Sequence, residues 1–306
     1  MTEPRISFVV PVRDEADNVV VLYDEIAGVM GEVGVEWEVI FIDDGSTDGT
    51  FDRLRELHAK HAPVRVIRFT RNFGKSSGLS VGFAAARGSI IITLDGDLQD
   101  DPREIPRFLE ALDQGFDLVS GWKRKRRDPV GKRVASRIFN WTMARLTGLR
   151  LHDVNCGFKA YRAEVARGLR LRHGLHRFIP FLAQAKGYRI GEIVVAHRER
   201  VHGRSKYGWE RIPQAVVDVH LAWLVARGVE HPRRILIPAG AGLLVAGGAL
   251  SAFAPVGPAA AKWPLLVSGA IVGLAGCDLL VMAALTGRAM AREPAGGAYA
   301  IAERLD

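Results

Sequence analysis

Short apolar runs alternate with amphipathic helical stretches through about the first 125 residues. That alternation allows little besides a mainly parallel β-sheet covered by helices on both faces, an α/β fold. Ile6–Val10, Glu38–Ile42, Val64–Ile67, Ile90–Ile92 and Leu118–Val119 read as strands. Between them, Ala16–Met30, Phe51–His61, Ser76–Ala86 and Ile105–Leu112 read as helices. An open sheet of this kind takes its ligands at the carboxyl ends of its strands, so the segments after each strand carry the functional signal.

Those segments are polar in turn after turn. Pro11-Val12-Arg13-Asp14-Glu15 follows the first strand, Asp43-Asp44-Gly45-Ser46-Thr47-Asp48-Gly49-Thr50 the second, and Arg71-Asn72-Phe73-Gly74-Lys75 the third. After the fourth comes Asp95-Gly96-Asp97-Leu98-Gln99, two carboxylates and an amide in one short turn. Carboxylate and amide oxygens are hard donors suited to Mg²⁺ or Mn²⁺, and such a turn can ligate one ion while leaving positions for a substrate diphosphate. Taken alone, each segment is better explained as a solvated turn or a helix cap, as Asp48 illustrates. Their succession along one sheet edge favours a nucleotide site.

The C-terminal third has another character. Ile235–Val256 lacks charge and is long enough to cross the roughly 30 Å core of a bilayer as a helix. Trp263–Gly287 carries only Asp278, and Pro255-Val256-Gly257-Pro258 is too short a turn to hold a domain. A helical hairpin or two buried core helices both fit. Arg233 and Arg234 before the first stretch and Arg288 and Arg292 after the second put both ends in the cytosol if it is a hairpin. Asp278, costly at membrane depth, suggests an intersubunit or interhelical hydrogen bond, the former making the protein a homo-oligomer. Ile212, Val216, Val219, Trp223 and Leu224 fall on one helical face, suited to the membrane interface or to a core. The organisation expected is therefore a catalytic domain over 1–206, an amphipathic juxtamembrane region over 207–232, a transmembrane hairpin over 233–290 and a cytosolic tail over 291–306.

Met1–Arg5 is too polar for a signal peptide, and the two cysteines, Cys156 and Cys277, stand too far apart in sequence to suggest a disulfide framework or a zinc site. The formal charge of +8 raises nucleic acid as a partner, but no nucleic-acid motif accompanies it and none is expected to bind.

The loops Pro11–Glu15, Asp43–Thr50, Asn72–Lys75 and Asp95–Asp100 resemble those of family 2 glycosyltransferases, inverting nucleotide-sugar enzymes with a Rossmann-like GT-A fold. Ser120–Lys123, Lys132-Arg133, Asp153–Lys159 and Gly203–Lys206 resemble more narrowly the polyprenyl-phosphate branch typified by dolichol-phosphate mannose synthase, over about residues 5–230. The resemblance implies that Pro11, Arg13, Glu15, Asp43, Asp44 and Gly96 hold the nucleotide of a UDP- or GDP-hexose. It implies that Asp95, Asp97 and Gln99 bind the metal, and that Lys123, Lys132, Arg133 and Ser136 hold the lipid phosphate. Ser205 and Lys206 would lie on a loop over the diphosphate. Lys123 replaces an arginine common in relatives, keeping the charge but losing the guanidinium fork.

The chemistry has a separate argument. A hydroxyl acceptor needs a general base within reach, yet Leu175-His176-Arg177-Phe178-Ile179-Pro180-Phe181-Leu182-Ala183, where hydroxyl-using relatives often carry an acidic pair, has no carboxylate. A phosphate acceptor is already anionic and needs only positioning and charge compensation. Lys123-Arg124-Lys125-Arg126-Arg127 and Lys132-Arg133 supply cations for that role, or equally for a solvated loop or an anionic leaflet. Asp95, Asp97 and Asp153 are the candidate catalytic carboxylates, Asp153 as an orienting or basic group; His176 reads as structural. The expected activity is transfer of a hexose to undecaprenyl or dolichyl phosphate. A hydroxyl-acceptor synthase lacks its Q-x-x-R-W motif and further spans here, and a non-catalytic binding module is disfavoured by the intact acidic turn.

Overall fold

A computed structural model of the chain describes residues 4–124, 145, 148–149, 151–169, 171, 174–198, 232–255, 261–291 and 299–306. The chain forms two compact units, Met1–Trp209 with Ala295–Asp306, and Glu210–Pro294.

In the first unit, β1 (Ile6–Val12), β2 (Trp37–Asp43), β3 (Val64–Phe69), β4 (Ile90–Thr93) and β5 (Leu118–Trp122) form where the apolar runs stand. They are buried almost throughout, which is why they read as continuous apolar runs instead of alternating ones. Three strands were not anticipated: β6 (Lys159–Arg162), β7 (Ile190–Val194) and β8 (Ile301–Leu305). The sheet order is β7-β5-β6-β4-β1-β2-β3-β8. β1 pairs in parallel with β2 and β4, β2 with β3, and β5 with β7. β6 lies antiparallel between β4 and β5, and β8 antiparallel along β3. The carboxyl ends of β1 to β5 and β7 therefore share one edge with the amino end of β6, and the polar turns all open there.

The helices α1 (Val19–Val33), α2 (Thr50–Lys60), α3 (Lys75–Ala85), α4 (Ile105–Asp113), α5 (Ala163–Gly168) and α6 (Ile179–Ala185) cover the sheet. α1 begins later than its apolar pattern suggests because the amides of Asn18 and Val19 both bond back to the Glu15 carbonyl, using residues 15–18 as a turn. It ends at Gly34, whose φ of 69° closes the helix on the Met30 carbonyl. α3 lies close on β1: a Cβ at Gly82 would stand 2.2 Å from Val9 Cγ1. That approach fixes the first residue of α3, Lys75, over the sheet edge.

In the second unit, α7 (Pro232–Phe253) and α8 (Lys262–Ala291) are long and apolar enough to cross a membrane. Their apolar side chains point outward, with Val245 73% and Leu274 69% exposed, which a core helix of a soluble domain would not tolerate. The helices meet through glycine: a Cβ at Gly247 would lie 2.5 Å from the Gly273 amide nitrogen, and one at Gly276 2.7 Å from the Gly240 carbonyl. Small residues at a helix crossing allow the backbones this proximity. Gly247→Leu is expected to separate the helices, read in a Cys277→Ser background as loss of crosslinking between cysteines placed at Leu236 and Met282, which pack in one apolar cluster, with the fold of the first unit unchanged. Asp278 is exposed, off this glycine seam.

Residues Lys132, Arg133, Ser136, Ser205 and Lys206, the basic positions 125–127 and the amphipathic segment 212–224 lie outside the described residues.

Candidate active site

The exits of β1 and β2 are stitched together. The Asp14 amide donates to Ser46 Oγ at 2.9 Å, the Thr47 amide to Asp14 Oδ1 at 2.9 Å, and the Glu15 amide to Thr50 Oγ1 at 2.8 Å. Asp14 takes a φ of 52°, a conformation that side chains rarely adopt and that persists where surrounding bonds enforce it. Pro11 is the penultimate residue of β1, Arg13 follows the strand with its Nε 3.6 Å from Asp14, and Glu15 accepts a bond from Asn18 Nδ2 at 2.5 Å. Asp43 is fully buried, accepting from the Ser46 amide at 2.9 Å and facing Arg68 Nε at 3.4 Å. These residues gather at one place, as the sequence suggested.

Asp44 is set differently from its neighbour. Its carboxylate accepts the amides of Phe73 at 2.6 Å and Gly74 at 2.9 Å, so it staples the turn after β3 to the turn after β2. Burial raises its pKa, partly countered by those two amides and by Arg13. The same seam requires Gly45, with φ 67°, where a Cβ would stand 2.6 Å from the Arg71 carbonyl carbon.

The acidic turn follows β4. Gly96 lets it lie against β1, since a Cβ there would meet Val12 Cγ1 at 2.7 Å. Leu98 has a φ of 60°, and the Gln99 amide donates to Asp97 Oδ1 at 3.3 Å, which closes the turn. Asp97 is buried. Three lysines surround Asp95. Lys75, the first residue of α3, forms an ion pair with it. Lys123, at the exit of β5, is largely buried and paired at 2.7 Å with Asp100, whose other oxygen accepts the Asp95 amide at 3.3 Å. Lys159 opens β6 opposite Thr93 and donates to the Cys156 carbonyl from inside the protein.

Burial opposes charge on Asp95, but Lys75 and Lys123 hold its carboxyl down at about 2. Lys123 is raised despite its burial, by Asp100, Cys156 and Asp95. Burial lowers Lys159 and pushes the Cys156 thiol up to about 11. Lys159 and Asp100 were missed as site residues; the pairing of β6 with β4, which delivers the first, is invisible in sequence. Asp153 is buried, its amide bonded at 2.9 Å to Glu192 Oε1.

His176 packs over this group, its Nδ1 2.9 Å from Ser76 Oγ. Burial, with Lys75 and Arg177, holds its pKa well below 6.5, so the ring is neutral at pH 7. The unfolded chain binds this proton more readily than the folded one, so stability is complete above the unfolded value and falls as pH drops below about 6.5. His176→Gln should flatten that part of a stability-versus-pH curve measured by urea unfolding.

The turn fits a hard divalent cation. Among the described residues no three carboxylate, histidine or cysteine side chains cluster closely enough to hold an ion by themselves. The protein could supply Asp95, Asp97 and the Gln99 amide oxygen, leaving the remaining positions to phosphate and water, as Mg²⁺ favours. Room beside Asp95 depends on Gly157, where a Cβ would fall 2.6 Å from Asp95 Oδ2.

Comparison with known proteins agrees with this geometry. Residues 7–170 match the profile described as "Glycosyl transferase family 2". A dodecaprenyl-phosphate galacturonate synthase of Rhizobium johnstonii is 35% identical over 243 residues, which cover 78% of this chain and 72% of that protein. An undecaprenyl-phosphate 4-deoxy-4-formamido-L-arabinose transferase of Edwardsiella ictaluri is 38% identical over 216 residues, 70% of this chain and 66% of that one. Glucosyl-3-phosphoglycerate synthase of Mycobacterium tuberculosis, solved with Mn²⁺, UDP and glucosyl-3-phosphoglycerate, superposes with a TM-score of 0.56 at 21% identity, covering 74% of this chain and 81% of that one; this likeness is one of fold. The mixed sheet, the strand-exit turns and the matched residues together place the chain in glycosyl transferase family 2.

Proposed function

We propose that this protein transfers a hexose from a nucleoside-diphosphate sugar to a polyprenyl phosphate at the cytosolic face of a membrane, with inversion at the anomeric carbon. The observation that carries the proposal is an acidic turn ringed by lysines at a GT-A sheet edge, in a chain with two helices of membrane length. The relatives named for dodecaprenyl and undecaprenyl phosphate support the same acceptor.

Pro11, Arg13, Glu15 and Asp43 would line the nucleoside end, and Asp95, Asp97 and Gln99 would hold Mg²⁺ or Mn²⁺. When bound, the ion supplies charge neutralisation for the diphosphate leaving group. Lys75 stands at the same carboxylate and offers a second cation to that charge. The acceptor oxygen is ionised at neutral pH, so no residue has to take its proton. Neutral His176 and buried Asp153 are then parts of the frame. The attacking oxygen forms its bond to the anomeric carbon as the bond to the nucleoside diphosphate breaks on the opposite face.

The catalytic unit is proposed to face the cytosol. β7 precedes the two spans and β8 follows them, and both belong to one sheet. Two crossings return a chain to the side it left, and the arginines flanking both spans mark that side as cytosolic.

The test is product analysis. Purified protein in liposomes holding undecaprenyl phosphate, given Mn²⁺ and a panel of UDP- and GDP-sugars, should yield an acid-labile lipid phosphosugar. Sugar found only on a lipid alcohol, a glycan or protein overturns the proposal.

A further inference from the structure

The residues after the membrane-length helices return to the catalytic unit and touch the turn that carries Lys75. Tyr299 comes eight residues after the end of α8. Its ring lies 5.7 Å from that of Phe69, the last residue of β3, and 5.8 Å from that of Phe73, edge-on to the latter at 72°. Phe69 and Phe73 stand 5.4 Å apart at 82°, so three rings form one cluster. Beside it the Thr70 amide donates to the Ala300 carbonyl at 3.0 Å, and β8 continues along β3 to Leu305. Phe73 also bears the Arg71 guanidinium on its face at 4.3 Å. Its amide and that of Gly74 are the two held by Asp44, and the next residue is Lys75, paired with Asp95.

We propose that the C-terminal strand is part of the nucleotide-site machinery, with Tyr299 a positioning residue that holds Phe73 and thereby sets the Asp44 staple and Lys75. This rests on the nucleotide-sugar reading of the site. The ring is what counts: Tyr299 contributes edge and face contacts to two aromatic neighbours, each such pair adding to plain burial. Without that cluster, the residues between Phe69 and α3 lose their outer wall, the Asp44 bonds to the Phe73 and Gly74 amides open more readily, and Lys75 begins its helix from a looser turn. By sequence alone residues 291–306 read as a tail, and nothing in their composition announces this contact.

The test uses the full-length protein in detergent, with Tyr299→Ala, Tyr299→Phe and Tyr299→Leu. Two quantities are read: hydrogen exchange of the Phe73 and Gly74 amides without ligand, and the dissociation constants of UDP and GDP with Mn²⁺. Tyr299→Ala should speed exchange at both amides and weaken the nucleotide that the wild type binds by about five- to tenfold. Tyr299→Phe should restore both, and Tyr299→Leu, which keeps bulk without a ring, should fall between, serving also if the alanine variant does not fold. Faster exchange with unchanged affinity, or no change in either, overturns the positioning role. A wild type that binds neither nucleotide overturns the site reading as well, whereas wild-type affinity that Tyr299→Ala leaves intact sinks only this proposal.

Discussion

Asp97→Ala should lower sugar transfer about a thousandfold or more, equivalent to about 4 kcal/mol of transition-state stabilisation, while the protein remains folded in membranes. The turn makes this a clean experiment. Within the turn Asp97 accepts the Gln99 amide at 3.3 Å, a bond whose loss costs about 1 kcal/mol. Nearby charges are already balanced without it: Asp95 by Lys75, Asp100 by Lys123. The variant should therefore melt near the wild type, bind Mn²⁺ much more weakly by electron paramagnetic resonance, and form no lipid phosphosugar above background. Chelation of the wild type should give the same loss and Mn²⁺ should reverse it, whereas Mn²⁺ should not rescue the variant. Undiminished turnover by Asp97→Ala would falsify the metal assignment and leave the acidic turn as a structural feature.

Much of this was legible in the chain because the period of the apolar residues and the chemistry of the turns agree. β1 to β5 each centre on a short run rich in valine, isoleucine, leucine or phenylalanine, and α1 to α4 fall between them within a few residues of the positions expected. β6 was not legible because Lys159-Ala160-Tyr161-Arg162 has charged ends and only four residues, and β7 because Gly191 and Glu192 interrupt it. β8 pairs with a strand more than 230 residues earlier, a partner that no local pattern can name. The site divides in the same way. Asp95 and Asp97 stand out by spacing, whereas the lysines around Asp95 come from three elements distant in sequence, Lys75 on α3, Lys123 after β5 and Lys159 on β6. Asp44 shows the limit of reading by adjacency. It is grouped with Asp43 by position, yet its carboxylate accepts the amides of Phe73 and Gly74 while that of Asp43 accepts the Ser46 amide.

The largest stability effect is expected far from the catalytic edge, at Arg65. Its guanidinium is 5% exposed and donates to Glu38 Oε2 and the Ala85 carbonyl, each at 2.9 Å, and to Asp306 Oδ1 at 2.5 and 3.0 Å. Glu38 is itself buried, taking Ser7 Oγ at 2.6 Å and the Arg87 amide at 2.7 Å on its other oxygen. One arginine thus joins β2, β3, the end of α3 and the C-terminal residue. Arg65→Ala strands the Glu38 carboxylate without its cation in a dry setting, and breaking a buried pair on one side costs about 3–5 kcal/mol. Urea unfolding should show that loss in the first unit, with Glu38→Gln in the Arg65→Ala background recovering part of it by removing the charge while keeping acceptors for Ser7 and Arg87. Asp306→Ala should cost only about 1 kcal/mol or less, because its carboxylate is 44% exposed and water screens the pair. Equal losses from Arg65→Ala and Asp306→Ala would mean that the strand contact, and not the buried Glu38 charge, is what Arg65 secures.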